Sequence, residues 1–154
     1  ASGVPYTIFR CSWFMESLPL FVQGKSISLI GNQVHPLHWI AAEDYAGMVS
    51  KSYLTDKTLN KELYIFGPDA YTMEEAMKIY TEGVGLKVAP ISTWMLSLMG
   101  TLTLNTEWKS TAVLMKHYER WGEDGSPEDA NRLLGAPKIT LKEWCEQKRS
   151  SISE

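Results

Sequence analysis

Near its start the chain carries Val4-Pro5-Tyr6-Thr7-Ile8-Phe9, a nearly continuous apolar, β-branched and aromatic run. A strand with one wet face alternates apolar and polar residues. A continuous run instead suits a strand covered on both faces, the usual state in a parallel sheet. Pro5 must sit at its beginning, because proline has no N–H to donate within a central ladder. Such a strand needs neighbours on both edges, and the later sequence offers few. The run therefore points to an α/β sheet that this chain does not complete.

The remaining punctuation fits that reading. Trp13–Phe21 reads as a short helix or turn disturbed at Pro19, and Ser26–Ile30 as a strand ending at Gly31-Asn32. His38–Ala41 is another short strand, followed by a helix to about Leu54 that Asp44 is expected to cap. Glu62–Phe66 alternates and then meets Gly67-Pro68. Thr72 and Glu75 form a capping box, in which each side chain satisfies the other's free backbone N–H, and Met73, Ala76, Met77 and Tyr80 follow at helical spacing. Lys87–Ile91 is a short strand. From Ser92 onward the pattern is helical: Trp94–Leu102, Glu107–Trp121, a helix opened by Ser126-Pro127 and closed at Gly135, and a last one opened by the Thr140/Glu143 capping box. The expected class is α/β (α+β in isolation): a few parallel strands, then a mainly helical C-terminal region.

Composition narrows the function. The 154 residues are 44% hydrophobic and carry a formal net charge of -3, which suits a folded domain and argues against a nucleic-acid footprint. Two distant cysteines, Cys11 and Cys145, form neither a disulfide framework nor a metal-ligand spacing. Ala1-Ser-Gly-Val-Pro lacks the basic start and apolar core of a secretory leader, and the most apolar stretch, Trp94–Leu104, is too short to span a bilayer. A cytoplasmic protein without membrane or nucleic-acid partners is expected. The start at an alanine, directly before a strand, suits a piece of a longer chain.

Four segments in order carry a resemblance: Ser2–Arg10 with Phe14-Met15-Glu16, then Trp39–Ala46, then Leu63–Pro68 with the Thr72 capping box, and finally Leu133–Pro137 with Thr140–Trp144. Together they resemble the C-terminal, substrate-side half of an NmrA-like atypical short-chain dehydrogenase/reductase. The resemblance implies a partial Rossmann-like fold whose dinucleotide-binding half lies upstream. The chain has no Gly-x-Gly-x-x-Gly or related phosphate cradle. NADP or NAD would thus belong to the intact protein, and none is expected to bind this chain tightly. The resemblance further implies that the backbone of Ser12, Trp13 and Phe14 borders the nicotinamide. Met15, Ser17, Trp39, Trp94, Met95 and Leu98 would wall the substrate pocket. Cys11 and Ser17 depart from the pattern, standing where proline and asparagine are usual, beside the implied nicotinamide edge.

Each candidate has a plainer alternative. The Trp13–Met15 segment also suits simple packing on the sheet, and the Trp94 stripe suits a helical core. His35, His38 and His117 lack ligand spacing, so no metal site is expected. Glu43-Asp44 could be an acid/base pair, but capping explains the same residues. Catalytic residues stay unassigned. The functional expectation is the substrate-binding portion of an NAD(P)H-dependent oxidoreductase for a small apolar carbonyl or quinone-like compound, inactive alone. Its rivals are an NAD(P)-linked redox sensor without turnover and a stand-alone interaction module. A homodimer formed through the open sheet edge is the expected assembly.

Overall fold

A computed structural model describes residues 3–152. Ala1 and Ser2, the start of the first motif, lie outside the described residues. The elements in chain order are β1 (Thr7–Cys11), β2 (Trp13–Phe14), a 3-10 segment (Met15–Phe21), β3 (Val22–Gln23), β4 (Ser26–Ile30), β5 (Leu37–Ile40) and α1 (Ala42–Ser52). After a short 3-10 turn follow β6 (Lys61–Ile65), β7 (Asp69–Tyr71), α2 (Met73–Thr81), β8 (Lys87–Ile91), α3 (Thr93–Leu102), α4 (Thr106–Trp121), α5 (Glu128–Leu134) and α6 (Leu141–Ile152). The class is α/β, with parallel strands and several helices. Two compact units share these elements: one holds the residues up to Glu16, His38–Ala70 and Gly125 onward, the other Ser17–Leu37 and Tyr71–Asp124.

In the first unit β1 and β6 run parallel, with Phe9 opposite Leu63 and Cys11 opposite Ile65. Beyond Cys11 the chain continues into β2, which pairs parallel with β5 in a three-stranded sheet ordered β2-β5-β7. One face of this framework is a core of Ile40, Met48, Leu63, Ile65, Ala130 and Leu134, with Phe9, Phe14 and Tyr45 packed against it. Alternate residues of β1 point the other way. Ile8 is 45% exposed there, as is Tyr6 just before the strand at 52%. The expectation that Val4–Phe9 is covered on both faces is therefore corrected: the strand is Thr7–Cys11, one face is dry, and on the other the exposed Ile8 lies beside the Arg10–Glu62 ion pair.

In the second unit β4 pairs parallel with β8, while β3 folds back antiparallel on β4. Leu18, Ile27, Met73, Ala76, Met77 and Met115 are buried there, and α2 packs on β4 and β8. The Thr72/Glu75 capping box forms in full. Ser26–Ile30 and Lys87–Ile91 match their expected bounds, since apolar runs closed by glycine or serine leave little freedom in where a strand ends.

Candidate functional site

The residues assigned from the sequence divide between the two units. Ser12, Trp13, Phe14, Met15 and Trp39 fall in the first; Ser17, Trp94, Met95 and Leu98 fall in the second. In the first unit the segment after β1 is held in place by its backbone. The Ser12 N–H donates to the Ile65 carbonyl at 3.1 Å, and its hydroxyl donates to the His38 carbonyl. Trp13 and Trp39 are register partners with ring centroids 6.0 Å apart. The ring of Phe14 turns into the core, edge-on to Tyr45 at 5.2 Å. Met15 and Trp39 have no exposed surface, so both pack the interior in this structure. What this segment presents to a ligand is backbone together with the half-buried Ser12 and Trp13.

Glu16 had no assigned role in the sequence, yet it fastens this region. One carboxylate oxygen accepts from the Ala42 N–H at 3.1 Å, and the other accepts from the Trp144 Nε1–H at 3.0 Å. Ala42 opens α1, whose N-cap residue Ala41 has no side chain able to cap. The remote carboxylate fills that need, and an anion at a helix N-terminus also meets the helix dipole favourably. An alanine at an N-cap was the available signal, since it announces a donor that must be satisfied from elsewhere.

Asp44 is not the cap of α1, which corrects the expectation above. It lies in the first turn, and one oxygen accepts from the Lys138 and Ile139 N–H groups, each at 2.7 Å. Lys51 adds a bond from its ammonium to the Leu134 carbonyl at 2.8 Å. Helix α1 thereby holds the loop from α5 to α6. Between β6 and β7 the chain runs so close to β5 that a Cβ on Gly67 would lie 1.6 Å from the Trp39 carbonyl oxygen. This close approach is the physical reason for glycine in the Gly-Pro pair.

In the second unit, α3 and α4 pack together and leave a groove of about 510 Å³ between them. Trp94, Leu98, Ala112 and Val113 line it with apolar surface; Thr93, Ser97, Thr101 and Lys116 supply the polar groups. Trp94 and Leu98 thus share one concavity, at 67% and 47% exposure. Met95 and Ser17 do not line it. Gly100 allows the close approach of the two helices near their connection, since a Cβ there would meet the Asn105 carbonyl and Lys109 at 3.1 Å.

Burial pushes the Cys11 thiol up, and burial with the neighbouring Cys11 raises the Tyr45 phenol. The Cys145 thiol is pushed up to about 11 by burial. These groups stay protonated at neutral pH, so neither thiol is an activated nucleophile. Glu75 and Glu143 are lowered by their capping threonines and Asp129 by Arg132. Tyr-x-x-x-Lys spacing occurs at Tyr53 and Lys57, but Tyr53 ends α1 and Lys57 lies in the next 3-10 turn, both exposed. Among the described residues no three His, Cys, Asp or Glu side chains gather as a metal site, and no helix is long and apolar enough to cross a membrane.

This architecture recurs among solved structures. The chain matches an NADPH-dependent quinone oxidoreductase from Escherichia coli over 96% of its own length, with a TM-score of 0.72 and 18% identity. It has a partial Rossmann-like fold. Leucoanthocyanidin reductase from Vitis vinifera matches with a TM-score of 0.72 and 16% identity over 96% of this chain. Triphenylmethane reductase from Citrobacter sp., complexed with NADP(H), matches with a TM-score of 0.68 and 18% identity over 94%. The match covers 56%, 56% and 53% of those three proteins respectively, so the chain spans about half their length. No family model and no curated protein matches the sequence.

Proposed function

We propose that this chain is the substrate-side half of an NmrA-like NAD(P)H-dependent oxidoreductase, acting on a small apolar carbonyl or quinone-like compound. The observation that carries the reading is the extent of the fold match: nearly all of this chain superposes on about half of three reductases, one of them NADPH-dependent and another solved with NADP(H). The dinucleotide would supply the hydride. The residues of this chain would bind and orient. The backbone of Ser12 and Trp13, beyond the carboxyl end of β1, is where ligands approach an open α/β sheet. In the second unit, taken by itself, Trp94 and Leu98 offer apolar surface to a small molecule.

The chain by itself does not fit a dinucleotide's phosphates. The helix N-terminus after β5 is already occupied by the Glu16 carboxylate, and like charges would repel there. With no Gly-x-Gly-x-x-Gly loop in the sequence either, the reading assigns the phosphate cradle to an upstream half. Titrating NADPH and NADH into the folded 154-residue chain, followed by tryptophan quenching, is expected to show no binding tighter than millimolar. Micromolar binding would place a dinucleotide site inside these residues and overturn the division. The longer protein should oxidise NADPH against a quinone and carbonyl panel; a protein that binds NADPH yet reduces none of them would overturn the enzymatic part. A second reading, an NAD(P)-linked regulatory protein without turnover, draws support from the lack of an activated acid or base among the described residues. Partner binding that changes with the NADP+/NADPH ratio is its signature.

A further inference from the structure

The groove between α3 and α4 is apolar in its walls and cationic at its rim. Leu98 and Val113 face each other across a volume of about 510 Å³, which is within the range of small-molecule pockets. Thr93, Ser97 and Thr101 succeed one another at four-residue intervals, so their hydroxyls form one row along α3. Lys116 stands on the α4 side with no hydrogen bond or ion pair among the described residues. The nearest carboxylate on its own helix face, Glu119, accepts from the Asn32 N–H instead. A neighbouring depression shares Val113 and carries Lys109 and His117. No carboxylate lines either hollow among the described residues.

We propose that this groove binds a small organic acid with an apolar body, its acidic group anchored by Lys116 and by the Thr93 and Ser97 hydroxyls of α3, the Thr101 hydroxyl already donating to the Ser97 carbonyl at 2.9 Å. An exposed ammonium without an ion-pair partner among the described residues, beside uncovered apolar surface, favours a ligand that supplies both parts: an anion for the charge, and hydrocarbon for Trp94 and Leu98. A neutral apolar compound would gain nothing from the ammonium, and a purely ionic one would leave the walls wet. The inference deepens the reading above by narrowing the carbonyl or quinone-like substrate to one that also carries an acidic group, and rests on it for calling this ligand the substrate; the binding itself does not depend on it.

Two fluorescent probes of nearly one shape test the charge requirement on the intact 154-residue chain. 8-Anilinonaphthalene-1-sulfonate carries an acidic group, whereas N-phenyl-1-naphthylamine lacks it. One sulfonate probe is expected per chain, with Trp94 transferring energy to it and circular dichroism unchanged. Lys116→Met should weaken the sulfonate probe about tenfold while leaving the neutral probe within twofold. Lys116→Arg should retain most of the preference, and Ser97→Leu, which fills the groove from an exposed position, should weaken both probes. Equal effects of Lys116→Met on the two probes would overturn the anion requirement. Failure of both to bind the folded chain would overturn the site. Probe affinity that falls as chain concentration rises would assign the groove to a second copy and also overturn the proposal. NADPH-dependent turnover by the longer protein reports separately on the oxidoreductase reading, so either can fail alone.

Discussion

At the scale of single residues, Glu16 links three parts of the first unit by accepting two hydrogen bonds on one carboxylate. Its replacement by alanine orphans the Ala42 N–H and the Trp144 indole together. A loss of about 2 kcal/mol in urea unfolding is expected, as for a charged hydrogen-bond acceptor removed from a half-buried site. Trp144→Phe should cost less on its own, and a double-mutant cycle with Glu16→Ala should show positive coupling. Gly67→Ala brings a methyl group to 1.6 Å from a carbonyl oxygen, so loss of the folded state, or a cost above about 3 kcal/mol, is the expected result by thermal melting. Cys145 is 2% exposed, and its thiol is raised from an ordinary 9.0 to about 11. A group raised on folding stabilises below its unfolded pKa, and that contribution disappears as pH climbs through the folded value. Stability should therefore fall by on the order of 2 kcal/mol between pH 9 and 11, and Cys145→Ala should flatten that limb. None of these three roles can be read along the chain, because each depends on atoms dozens of residues away.

At the scale of elements, much was legible. Both capping boxes form as the threonine-to-glutamate spacing demands, at Thr72/Glu75 and Thr140/Glu143. The exchange is local, so the sequence alone determines it. Thr72→Ala or Thr140→Ala should each cost about 1 kcal/mol. Because these glutamates are lowered on folding, their contribution is present above the ordinary carboxylate value of 4.5 and is lost as pH falls below it. Either threonine substitution should therefore flatten the acid side of the stability curve. Ser126 illustrates a boundary shifted by one residue: Pro127 occupies the N-cap, while the Ser126 hydroxyl still accepts from the Glu128 N–H at 3.4 Å. Asp44 departs from the capping expectation for a physical reason. An aspartate in the first turn of a helix satisfies capping statistics whether it bonds its own helix or a distant loop. Here it holds Lys138 and Ile139, and Asp44→Ala should abolish hydrogen-exchange protection at those two amides while leaving α1 itself protected.

At the scale of the whole molecule, β1 has one partner strand among the described residues, and Tyr6 and Ile8 stand exposed beside the Arg10–Glu62 ion pair. An unpaired edge of that kind templates pairing with another chain. The isolated chain is expected to dimerise at tens of micromolar by analytical ultracentrifugation, and Ile8→Lys should return it to monomer with little change in melting temperature. A monomer at several hundred micromolar would remove the edge as an interface. Apolar period, caps and glycine stops act within a few residues, so the helices and strands such as Ser26–Ile30 and Lys87–Ile91 are legible along the chain. The short strands β2, β3 and β7 are not, because their pairing depends on partners elsewhere in the chain. That Phe14 serves the core and that Met15 and Trp39 are sealed from solvent follows only from the packed chain. Only it brought Lys116 beside Trp94 across two helices. Burial and charge environment are properties of the packed whole: the same tryptophan can be sealed or open, depending on which surface arrives from elsewhere in the chain.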